Sequence, residues 1–344
     1  MTLDAVAPTP PHADATIADL LAVPPADRDD DWLHGALQAA VELELATIPP
    51  YLCALWSIKD QEAPSSAVAA LRLHNIVVDE MYHLGVVCNL LVGLGRRPLL
   101  RARAPVYPGP LPRGIAPGLI VHLQGLTKGL VGDVFMGIEQ PEDPLARAYD
   151  TVGQFYDALI ERFRADPGDL SPDGQRELSF GGHVLAVART CDDAVRMLTE
   201  VKEEGEGTAT DPLFGDELAH YYRFGELARG RRLVRTGPDG EWDWAGEPVP
   251  FPTWRAEVHP MAQVPAGGWP RPLPEPAERA LRAFERTYTA VLDGLDRAWN
   301  GDEPALVEAV EAMHHLPGPA RELMQVPYGD GAYTYGPDFR VAAG

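Results

Sequence analysis

The chain has 344 residues, 45% of them hydrophobic and 23% charged, with a formal net charge of -22. That is the composition of a globular protein, and its excess of acid repels polyanions, so neither nucleic acid nor an anionic membrane is an expected partner. The first thirty residues have no basic segment leading into an apolar run, and eighteen consecutive apolar residues occur nowhere, so no signal peptide or membrane span is expected. Cys53, Cys88 and Cys191 form no paired framework, which fits a reducing cytoplasm.

Residues 1–30, rich in Pro, Ala and Asp, read as a peripheral arm with one short helix around Ile17–Val23. From Trp32 the apolar positions Leu33, Leu37, Val41 and Ile48 fall at helical spacing with Glu44 among them, and Pro49-Pro50 is expected to interrupt this first helix. Ser65-Ser66 can cap a second helix, whose stripe Leu73, Ile76, Glu80, His83, Val87 and Leu91 ends at Gly93 and Gly95. A Pro- and Gly-rich loop covers 98–118. A weaker helix is expected over 119–138, and further helices over 149–163, 192–204 and 216–229. Four of the seven tryptophans lie between Gly237 and Pro276, in an insert expected to pack on the bundle as an ordered loop, hairpin or lid. Helical patterning returns over 278–299 and 304–315. The result is an all-α fold divided into an arm (1–30), a bundle (31–232), an insert or lid (233–275) and C-terminal helices with a tail (276–344).

An acidic residue three positions before a histidine puts both side chains on one helical face, where they can share or bridge metals. About one such pair is expected by chance, and the chain has three: Glu80–His83, Glu217–His220 and Glu311–His314. Glu80 and His83 stand in mid-stripe, where a surface helix would carry Leu or Ile, so both are expected to point into the core. A buried carboxylate is costly unless it is hydrogen-bonded, neutralised or coordinated, which leaves a satisfied polar network or a metal site.

Glu44 lies on the stripe of the first helix, whereas Glu42 shares its side with Gln38 and Gly35. Glu44 is therefore the residue expected opposite Glu80 and His83 across a short antiparallel connection. One more Glu and one more ExxH would complete a two-metal carboxylate site. Glu204, continuing the stripe of Ala194, Met197 and Val201, and the pair Glu217 and His220 are the candidates, with a solvated helix end as the competing reading of Glu204. Glu311–His314 flanks its stripe and reads as surface, and Asp157 and Glu161 fall away from the face that carries Phe155 and Leu159. Carboxylates with a minority of imidazoles and no thiolate suit iron, with manganese left open, over structural zinc or copper. There is no phosphate-binding glycine loop and no GxSxG elbow.

Several blocks in order, LHGALQAAVELELATIPPYLCALWSI, IVVDEMYHLGVVCNLLVGLGRRP, FMGIEQPED, VGQFYDALI, EEGEG and ELAHYYRFGEL, resemble the ferritin-like domain of iminophenyl-pyruvate dimer synthase, the violacein-pathway enzyme, and its stand-alone bacterial relatives. The likeness runs from Trp32 to Arg232, and the tail YGPDF is similar as well. It implies a ferritin-like bundle with iron at Glu44, Glu80 and His83 and ligation through Glu204 and His220, the family pattern being less firm at Glu217. Glu139 and Glu206 fall in matching blocks without an assigned role, and Glu161 has none. The function implied is a non-haem oxidoreductase with two irons, acting with dioxygen or peroxide on a small organic substrate in specialised metabolism, with a homodimer open as its assembly. The named enzyme couples amino-acid-derived imines, and this chain lacks its large additional region. The alternative is a ferritin-like iron-binding or storage protein without an organic substrate.

Overall fold

The computed structural model describes residues 12, 14–141, 152–207, 211–236 and 241–342. Its helices in chain order are α1 (Ile17–Ala22), α2 (Asp30–Ser57), α3 (Ala67–Gly93), α4 (Met136–Ile138, entered through the π-helical stretch Leu130–Phe135), α5 (Val152–Ala165), α6 (Cys191–Glu206), α7 (His220–Arg229), α8 (Glu275–Trp299), α9 (Pro304–Met313) and α10 (Pro317–Leu323). Strands among the described residues occur only as two-stranded antiparallel pairs, such as Leu213–Phe214 with Glu217–Leu218. The fold is all-α.

α2 is the innermost element: from Trp32 to Ser57 every residue except His34 is buried. It runs antiparallel to α3, since Thr47 meets Glu80 while Glu44 meets His83. α5 and α6 complete a four-helix bundle, joined to each other by the Asp157–Lys202 ion pair at 2.6 Å. α3 is long and apolar enough to cross a membrane, but 89% of its most apolar window is buried inside the protein, which is the signature of a core helix. The arm is only partly peripheral. Ile17 and Leu20 are fully buried, and the Trp32 indole N–H donates to the Leu20 carbonyl at 2.9 Å.

Pro49-Pro50 does not interrupt α2. Two prolines remove the N–H groups that would bond the carbonyls of Leu45 and Ala46. The Tyr107 hydroxyl, from the loop after α3, donates to the Ala46 carbonyl at 2.6 Å and satisfies one of the two freed acceptors. Removing that hydroxyl in Tyr107→Phe leaves a buried carbonyl unpaired, so urea unfolding should show a loss of about 1–3 kcal/mol. A loss below about 0.5 kcal/mol would mean that Ala46 has another partner.

Three further expectations shift at their boundaries. The helix placed over 119–138 begins only near residue 128, because Ile120–Val121 pairs with Gly109–Pro110 instead. The helix placed over 216–229 begins at His220, with residues 213–218 folded back as a hairpin. The helix expected over 304–315 ends at Met313, and α10 follows it as an additional turn-rich element. In the Trp-rich insert, Trp244 lies so close on Gly225 of α7 that a Cβ there would come within 2.2 Å of the ring. Trp269 is buried and donates to the Gly336 carbonyl at 2.7 Å.

Candidate metal centre

Two groups of donors meet between α2, α3 and the ends of α4 and α7. Donor atoms of Glu44, Glu80 and His83 all lie within 4.8 Å of one another, and so do those of Glu80, Glu139 and His220. Glu80 belongs to both, which is the position of a bridging carboxylate. His83 turns Nδ1 toward Glu44 Oε2 at 3.6 Å. His220 turns Nδ1 toward Glu80 Oε1 at 2.9 Å and Glu139 Oε2 at 3.7 Å, yet that nitrogen is buried and aligned with neither for a hydrogen bond. A buried imidazole nitrogen beside carboxylate oxygens without a hydrogen bond is what an inward-facing metal ligand looks like. Glu44, Glu80, His83 and Glu139 line a cavity of about 30 Å³, together with Thr47 and Tyr156. That is room for a pair of water-sized species, each needing roughly 10–15 Å³.

Every donor is also held from behind. Tyr156 donates its hydroxyl to Glu44 Oε1, Thr47 donates to Glu80 Oε2 at 2.6 Å, and Tyr51 donates to Glu139 Oε1 at 2.5 Å. His83 Nε2 lies 3.0 Å from Glu204 Oε2, and His220 Nε2 lies 3.1 Å from Asp79 Oδ2. A carboxylate on the far nitrogen makes Nε2 the donor and presents Nδ1 to the centre, the usual support of a ligating histidine. Asp79 is fixed in turn by His183 Nε2 at 2.8 Å and Arg223 Nη1 at 3.1 Å.

The charges in this site are strained without a cation. Burial and the neighbouring Glu139 carboxylate push Glu80 up to about 7, against the pull of His220. Burial by itself would lower His83, but its hydrogen bond to Glu204 and the nearby Glu44 and Glu80 carboxylates hold it well above the ordinary histidine range. His220 is raised in the same way, its burial outweighed by Asp79, Glu139 and Glu80. Burial would raise Asp79, yet hydrogen bonds from His183 and His220 and the Arg223 charge hold it far below the carboxylate range. Glu80, His83 and His220 therefore keep protons where a metal would bind.

A family model described as Ferritin-like matches residues 37–229. The chain belongs to the Ferritin-like family. The crystal structure of a ferritin-like protein from Caulobacter vibrioides aligns over 90% of this chain and 97% of that one, with a TM-score of 0.64 and 23% identity, a likeness of fold. No curated protein matches the chain.

Of the residues the sequence singles out, Glu44, Glu80, His83 and His220 come together in the two donor groups. Glu217 does not. It sits in the strand Glu217–Leu218, outside α7, so the ExxH spacing no longer puts it on the face of His220. Its side chain is 68% exposed and pairs with Arg223 at 3.0 Å. Glu204 is buried as expected, but behind His83: its near neighbours are His83, Asp79 and His183 rather than the Glu80 oxygens. There it meets the far nitrogen of the His83 ring.

The carboxylate the sequence reading left without a role, Glu139, occupies the place given to Glu217. Its signal was available, four residues past the fully buried Phe135, but it falls after the end of the weak helix expected over 119–138, where no apolar stripe marks a face. Glu161 is exposed and pairs with Arg28 at 3.3 Å, Glu311 and His314 are exposed, and the Glu206 side chain lies outside the described residues. None of the described insert residues 241–275 lines this cavity. Asp79→Asn should loosen His220 and weaken metal binding about 10–100-fold in a chelator competition, whereas Glu217→Ala should leave it unchanged.

Proposed function

We propose that this ferritin-like protein is a non-haem di-iron oxidoreductase that uses dioxygen or peroxide to oxidise a small organic molecule of specialised metabolism. The observation that carries this reading is the shared Glu80: one carboxylate in two donor groups, each completed by a second carboxylate and an inward imidazole nitrogen. Three carboxylates and two imidazoles without a thiolate suit iron, and manganese next, better than zinc or copper. Two irons, when bound, would supply the electrons that oxygen chemistry needs. The chain's own residues do the rest. Glu44, Glu80 and Glu139 offset the metal charge, while the carboxylates behind His83 and His220 keep Nδ1 of each ring turned inward. The Tyr51 and Tyr156 hydroxyls hold protons one bond from the ligand oxygens, and Leu43, Ile138, Val152 and Val201 give the cavity apolar walls. The amino-acid-derived substrate of the imine-coupling enzyme is the class to try first, and the three free, buried cysteines fit work in a reducing cytoplasm.

A second reading, an iron-binding or storage protein without an organic substrate, is favoured by the cavity's size, about 30 Å³. Metal-free protein given ferrous iron in air should take up two irons per chain by elemental analysis and change its absorption. Less than one iron per chain with no such change would sink both readings. Sizing then separates them: a closed shell means storage, while a monomer or homodimer means an enzyme.

A further inference from the structure

We infer that the protein has a second small-molecule site, separate from the metal centre, for an aliphatic chain with a single polar head. Between α2 and α3 on one side and α8, α9 and α10 on the other lies a cavity of about 460 Å³. Natural ligand pockets run from roughly 300 to 1,000 Å³, whereas packed interiors contain few voids larger than a water molecule, so a space of this size is no packing defect.

The walls are apolar. Ile48, Leu52, Leu84, Val291, Leu295 and Trp299 line it, each only 4–7% exposed, and no Lys, Arg, Asp or Glu does. Surfaces buried this deeply are beyond the reach of a docking protein face but open to a slender flexible chain. The Tyr288 hydroxyl is the one buried lining group left without a hydrogen-bond partner, and no ionised side chain is there to meet a charge, so the enclosed part of the ligand is hydrocarbon.

The mouth says where the head goes. His74 of α3 and His314, at the end of α9, line the cavity and are both exposed. On the same helical faces, three and seven residues away, Leu71 and Val307 are 61% and 56% exposed. An apolar collar carrying two imidazoles suits a fatty alcohol or fatty acid, its chain inside and its oxygen at the rim. No residue lines both this cavity and the metal cavity, so the two sites stand or fall separately.

The full-length protein, titrated with the fluorescent fatty acid cis-parinaric acid, should bind it saturably at one per chain and release it to lauric acid or 1-dodecanol. Leu295→Trp fills the cavity and should weaken that binding at least tenfold while leaving iron content unchanged. Met313→Trp, nearer the surface, serves the same purpose if Leu295→Trp does not fold. Absence of saturable binding, or unchanged affinity in either folded variant, overturns the proposal. It falls equally if parinaric acid does not bind and Leu71→Glu turns a dimer into a monomer, because the face is then covered by a second copy.

Discussion

Replacing Glu80 by glutamine should remove both metals at once, while replacing Glu44 should remove one. Glu80 alone belongs to both donor groups, whereas Glu44 contacts only the His83 side. Loss of a residue behind a ligand already weakens metal binding about 10–100-fold, so loss of a shared ligand should exceed about 100-fold. Stability should move the other way. In the metal-free protein Glu80 is a liability, buried beside two other carboxylates and pushed up to about 7. Glutamine keeps the shape and an oxygen for the Thr47 hydroxyl, now 2.6 Å from Oε2. The metal-free Glu80→Gln protein should therefore melt at or above the wild type, while the iron-loaded wild type melts well above both. Retention of one iron per chain by the variant would contradict the bridging role. A loss of more than about 3 kcal/mol in the metal-free state would mean that Glu80 serves structure rather than metal.

The core pair of helices and the donors Glu80 and His83 could be read from the sequence because the stripe on α3 is long and apolar, so the two interrupt a pattern strong enough to show the interruption. The reading that sets Glu42 aside rests on a premise the fold does not share. Phase separates two sides of a helix only when one faces water, and α2 has no such side. Glu42 is itself buried, at 6% exposure, and what holds it away from the donor groups is Arg113, whose guanidinium bonds both its oxygens at 2.6 Å. Arg113 lies 71 residues away in a loop, with a left-handed φ of 60°, where periodicity carries no information. Glu217 failed for a related reason: ExxH is a statement about a helix, and the helix begins three residues too late. Glu204 was correctly placed inside the bundle, but whether a buried carboxylate meets the metal or the back of a histidine depends on how α6 packs on α3, which neither sequence encodes alone.

The metal-free protein should lose stability as the pH rises through neutrality. Glu80 has an ordinary value of 4.5 and is pushed up to about 7 in the fold, so the folded state holds its proton more tightly than the unfolded chain. That contribution, on the order of 3 kcal/mol, is fully present below 4.5 and is lost as the pH passes about 7. His83 and His220 act with the same sign. Both are raised above the ordinary 6.5, so the stability they add is present below it and is lost as the pH climbs through their folded values. Asp79 opposes them only in acid, because a depressed carboxylate contributes above 3.8 and fails as the pH falls far below it. A bound metal would reverse the balance, since its binding would expel the protons that these same atoms hold and would therefore be favoured as the pH rises. Thermal melts of loaded and metal-free protein between about pH 5 and pH 8 should diverge, the metal-free midpoint falling while the loaded one holds. A metal-free midpoint that climbs across this window would mean that the buried carboxylates and imidazoles are neutralised by something other than protons, and with it would go the case that a cation belongs among them.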